Sequence, residues 1–121
     1  MHVELPVLFN IYRKCEKEYR RVSKEFSEIT NKIAEKIEKY LNRKLKGEEQ
    51  KVFKVDVLPE GVHVIFNTTQ LEEDVIEKVV EAMAALGFDK RYAINSYSGV
   101  GLVFKWPRQW IAVVKEEEDK R

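Results

Sequence analysis

The amino-acid sequence predicts an α+β protein: a long N-terminal helix followed by a two-layer ββαββ unit with a mainly antiparallel four-stranded sheet. Three observations predict it. Residues 7–46 contain neither Gly nor Pro and repeat their apolar positions at helical spacing. Two later stretches alternate apolar and polar residues about turn-forming Pro and Gly. An amphipathic segment with a helix-start signal separates those two stretches. At 121 residues the chain has room for one core and not for two. Residues 1–46 (a long helix with a coiled-coil pattern), 47–114 (the ββαββ unit packed with it) and a charged tail 115–121 are therefore expected to make one structural domain.

In the first segment Leu8, Tyr12, Cys15, Tyr19, Val22, Phe26, Ile29 and Ile33 follow at alternating steps of four and three, a heptad seam. Consecutive steps of four then lead through Ile37 and Leu41, a stutter that locally unwinds a supercoil. Pro6 suits a first helical turn and Gly47 the position just past the last. An unbroken helix of this length would reach roughly 60 Å. The rest of the chain forms a globule with a radius of gyration of only about 11 Å. The overhang would expose the seam, which monomers avoid. Either the helix pairs with a second copy or it breaks into a helical hairpin, residues 27–31 being the weakest stretch. Pairing into a homo-oligomer, most simply a dimer, through Tyr12, Cys15, Tyr19, Val22, Phe26, Ile29 and Ile33 is the preferred expectation.

Beyond Gly47 the period becomes two. Phe53, Val55 and Val57 form one apolar face and Val62, Val64 and Phe66 another, joined through Leu58-Pro59-Glu60-Gly61 with Pro and Gly placed for a type I turn. This loop sets Val57 opposite Val62, Val55 opposite Val64 and Phe53 opposite Phe66. Thr69-Gln70-Leu71-Glu72 has capping-box spacing, and Leu71, Val75, Ile76, Val79, Val80, Met83 and Leu86 continue as an amphipathic helix ended by Gly87. Phe88 stands where a Schellman motif makes its closing contact. A second hairpin follows, with strands over 91–96 and 100–106 and a Tyr97-Ser98-Gly99 turn. It places Tyr92, Ile94, Val100, Leu102, Phe104 and Trp106 on one face. The segment after Pro107 suits a helical stripe and a strand equally.

Charged residues make up 36% of the chain, yet Lys+Arg 22 and Asp+Glu 21 nearly cancel, so net charge alone implies no polyanionic partner. The balance conceals an asymmetry: residues 1–46 carry +5 and residues 47–121 carry −4. The abundance of Lys and Glu with only 3 Gln resembles hyperthermophile composition, a thermophile signal. One cysteine permits no internal disulfide, and neither a signal peptide nor a membrane-spanning run is visible. A cytoplasmic protein without membrane attachment, metal or cofactor is expected.

No catalytic constellation emerges, so the reading leans away from an enzyme. Cys15 lies on the seam, and His63 lacks companions at ligand spacing. The leading expectation is a non-enzymatic, homo-oligomeric interaction module. A second is nucleic-acid contact through the basic stretch Arg13, Lys14, Lys17, Arg20, Arg21 and Lys24. A third is a small-ligand or enzyme site on the polar sheet face, around Lys54, His63, Arg91 and Lys105.

Overall fold

A computed structural model describes residues 4–17, 24–96 and 99–112 of the chain. Its elements are α1 (Glu4–Lys17), α2 (Lys24–Lys44), β1 (Val52–Leu58), β2 (Gly61–Phe66), α3 (Glu73–Ala85), β3 (Ala93–Asn95) and β4 (Val100–Lys105). The strands form one antiparallel sheet in the order β1-β2-β4-β3, and helices cover one of its faces. This is the α+β architecture that the sequence predicts.

The N-terminal segment is two helices rather than one. Glu4 pairs with Lys36 at 2.7 Å, while the Tyr12 and Phe26 rings lie 5.6 Å apart, so α1 and α2 run antiparallel. Apolar burial explains the choice. Folding back places Leu5, Phe9, Tyr12 and Cys15 of α1, with Ile29, Ile33, Ile37 and Leu41 of α2, inside a single core. The described seam residues are thereby largely covered within the chain, and the roughly 60 Å helix that called for a second copy does not form. Tyr19 and Val22, with Arg20 and Arg21, lie outside the described residues. Residues 27–31, expected to be the weakest stretch, sit inside α2, where Ile29 is buried and the Thr30 hydroxyl donates to the Ser27 carbonyl at 3.0 Å.

The helix ends are chemically explicit. Gly47 adopts φ 92° just past α2, as its placement predicts. After α3, the Phe88 N–H donates to the Met83 carbonyl at 3.1 Å and the Gly87 N–H to the Ala84 carbonyl at 3.0 Å, with Gly87 at φ 107°. That is a Schellman motif with Phe88 buried behind it. The start of α3 differs from the predicted capping box. Glu72 is the N-cap without a side-chain bond, and its own N–H is held by the Gln50 side chain at 2.9 Å. Thr68, not Thr69, makes the local turn by accepting from the Gln70 N–H.

In the first hairpin Val57 faces Val62 and Val55 faces Val64, as predicted, but a bulge between Val52 and Lys54 shifts the pairing. Val52 therefore faces Phe66 in the core, and Phe53 is 62% exposed. One inserted residue reverses which side chain points inward. The second hairpin keeps its predicted register, with Ile94 opposite Leu102, although β3 spans only three residues. Gly99 has the left-handed φ of 112° expected of it, while Tyr97 and Ser98 lie outside the described residues. The chain is helical over 108–112, so the described part of the ambiguous segment follows the helical reading, while Val113 and Val114 lie outside the described residues.

An aromatic cluster ties α1 to the end of the sheet. Phe9 lies 4.7 Å from Trp106 and 5.8 Å from Trp110, and Phe88 lies 5.2 Å from Trp110. The Trp106 indole N–H donates to the Leu58 and Pro59 carbonyls, so its polar atom is satisfied while the ring is buried. A buried Tyr40 hydroxyl donates to the Ala82 carbonyl at 3.0 Å, joining α2 to α3. No described helix is long and apolar enough to cross a membrane.

Two outcomes follow from this packing. Phe66→Ala should cost about 3–5 kcal/mol in denaturant unfolding, whereas Phe53→Ser should change stability by less than about 0.5 kcal/mol. The Glu4 carboxyl sits below its ordinary value of 4.5 because Lys36 donates a hydrogen bond to it and adds a nearby positive charge. Its contribution to the α1–α2 contact is thus complete above that ordinary value and is lost as pH falls through the lowered one. In Lys36→Ala, NMR titration should show the Glu4 midpoint rising back toward 4.5.

Candidate functional site

With its apolar side on β1 and α1, α2 turns an ordered polar side outward. Lys32, Lys36, Lys39 and Arg43 follow at steps of four, three and four, which aligns them along one stripe of α2, and Lys46 continues the spacing in the turn just beyond it. Beside the stripe, α1 presents Val7, which is 56% exposed, and the half-buried Leu8. Together with Lys51 and Gly47 these residues line an open groove of about 1370 Å³.

Local bonds set the groove's shape. The Asn42 side chain accepts from the Val52 N–H at 2.8 Å and donates to the Val52 carbonyl at 3.3 Å, clamping the start of β1 to α2. The Lys51 ammonium donates to the Leu45 carbonyl just past α2, which also accepts from the Glu48 N–H at 2.9 Å. Six cations line the groove against two carboxylates, Glu4 and Glu35. Both carboxylates are engaged, Glu4 by Lys36 and Glu35 by Lys39, each at 2.7 Å. Hydrogen bonding and charge from Lys39 hold the Glu35 carboxyl below its ordinary value, so it stays ionised at neutral pH. The groove keeps a surplus of four positive charges over an apolar floor.

The residues singled out from the sequence are distributed differently. Among the seam residues, Tyr12, Cys15, Ile29 and Ile33 are buried and Phe26 is half-buried, packed within the helical hairpin. Of the basic stretch, Arg13 pairs with Glu16 at 3.7 Å and lies over the Phe9 ring, Lys24 pairs with Glu28 at 3.9 Å, and Lys14 and Lys17 are exposed.

The four sheet-face residues are not one site. Lys54 pairs with Asp56 at 3.3 Å on the outer strand β1, while Arg91 precedes β3 at the opposite edge. Three strand spacings, about 14 Å, separate those edges. His63 is half-buried on the uncovered face, and its Nε2 has no hydrogen-bond partner among the described residues. Its ring lies across Gly101, where an added Cβ would come within 1.9 Å of Nε2. No described group of His, Cys, Asp and Glu has the arrangement of a metal site.

Arg91 and Lys105 do converge. Where β3 begins late beside β4, they join Arg13 and Arg108 around a second cleft of about 930 Å³. Asp89 answers part of that charge. The backbone N–H of Arg91 and the charges of Arg91 and Arg108 hold its carboxyl below the usual value.

The α2 stripe is the feature that residue-by-residue reading of the sequence passed over. Its four-and-three spacing is as regular as that of the apolar seam, and a search for cationic periodicity finds it in the sequence. The apolar floor is not visible there, because Val7 and Leu8 reach the stripe only through the fold-back of α1. Against family models, curated proteins and solved structures the chain has no match, so groove and cleft are read from their own residues.

Proposed function

We propose that this protein is a non-enzymatic interaction module whose α1–α2 groove receives an acidic, amphipathic segment of a partner protein. The observation that carries the reading is the cationic stripe Lys32-Lys36-Lys39-Arg43-Lys46 running beside exposed Val7. An amphipathic helix has the matching surface, with apolar anchors for the floor and carboxylates for the rim. The charges would speed encounter and select the partner, while apolar burial would supply much of the affinity.

A fluorescein-labelled synthetic helix of Leu and Glu, with Leu at i, i+4 and i+7, tests this by fluorescence anisotropy. It should bind at low ionic strength and weaken as salt is raised. Lys32→Glu combined with Lys46→Glu, both at exposed positions, should weaken it by about tenfold or more. Arg91→Glu should leave it unchanged. Absence of binding at low salt would sink the proposal. Equal binding of poly-glutamate would remove the role of the apolar floor, and tighter binding of a single-stranded oligonucleotide would make the groove a nucleic-acid surface instead.

A further inference from the structure

The two edges of the sheet are treated differently. At β1 the bulge at Phe53 and the Lys54–Asp56 ion pair interrupt the edge, both common devices against strand addition. At β3 neither a bulge nor a charged residue interrupts the edge, and its shortness, three residues, is its one protection. Ala93, Ile94, Asn95 and Ser96 are uncharged, contain no Pro and are all exposed. Ile94 is 63% exposed although Leu102, its cross-strand partner, is completely buried. Tyr92 is 39% exposed, with its ring 6.1 Å from Phe104. The apolar face of the sheet therefore runs one strand beyond its helical cover. Among the described strands β3 has β4 alone beside it, so it forms an edge whose alternate backbone groups point away from the sheet.

We infer that β3 is a self-association edge, on which the β3 strand of a second copy adds antiparallel about a twofold axis at Ile94. This register sets Ile94 against Ile94, Ala93 against Asn95, and Tyr92 against Ser96. No charged residue lies within 92–96, so no like charges meet. A net charge of only +1 adds little repulsion between whole copies. The axis stands perpendicular to the sheet, so both helical layers stay on one side and each Ile94 covers the other. The result is a continuous eight-stranded sheet with an isologous interface. A three-residue strand makes an interface below the standard ~1,600 Å², so association is weak and concentration-dependent. The surface is separate from the α2 groove, and a dimer would display two grooves for bivalent capture.

Sedimentation equilibrium of the full chain from micromolar to millimolar concentration decides it. The weight-average mass should rise from 14.3 kDa toward twice that value, with the outward-facing amides among 93–96 gaining hydrogen-exchange protection as concentration increases. Ile94→Lys should weaken association by about tenfold or more, with unchanged circular dichroism. Ile94→Thr, which keeps strand propensity, should weaken it less, and Phe53→Lys at the opposite edge should match the parent. A monomer at every concentration overturns the inference. So does Ile94→Lys associating as well as the parent, because the contact would then lie elsewhere.

Discussion

Burial of the N-terminal apolar seam organises this protein. Phe9 and Tyr12 reach Trp106 at 4.7 and 5.7 Å, and Trp110 closes over Phe9. Each of these rings would be costly to leave in water, since an aromatic side chain buries 150–250 Å². The contact holds α1 against the end of the sheet. Once α1 is there, the antiparallel return of α2 brings Ile33, Ile37 and Leu41 into the same core, with α2 packed on β1.

The surface then follows from the packing. A helix with one side on the sheet must direct its cations to the other, so the α2 stripe faces solvent next to the end of α1. Individual surface ion pairs such as Lys39–Glu35 contribute little to stability. Their arrangement matters for recognition instead, because a surplus of like charge along an apolar-floored groove produces a local field that the nearly neutral whole chain conceals. The same geometry accounts for the sheet edges. The helical layer covers β1, β2 and β4 and stops short of β3, leaving Ile94 outside.

Short-range periodicity made most of the elements legible. The strand residues around Leu58-Pro59-Glu60-Gly61, the Gly87–Phe88 helix end and the Ile94–Leu102 register depend on neighbours in sequence or on turn chemistry, and each reads correctly. Phe53 did not, because a bulge replaces a strict alternation with a single extra residue whose cost is settled by core volume rather than by local preference. The capping box failed similarly. Gln50, distant in sequence, supplies the partner that Thr69 was expected to provide.

The candidate site divides along the same line. Cationic spacing on α2 was present in the residues themselves, as was the apolar seam, since both depend only on the 3.6-residue period of a helix. By itself the sequence determined which stretches are helical, though not that the first is divided in two, together with two hairpins, the capacity for one core and the charge division between its halves. Only the tertiary structure decided that the described seam residues pack within the same chain, which strand lay at an edge, and which lysines shared a groove with Val7. These depend on competition among distant apolar surfaces for the same cover, and periodicity specifies which face must be buried without specifying what buries it.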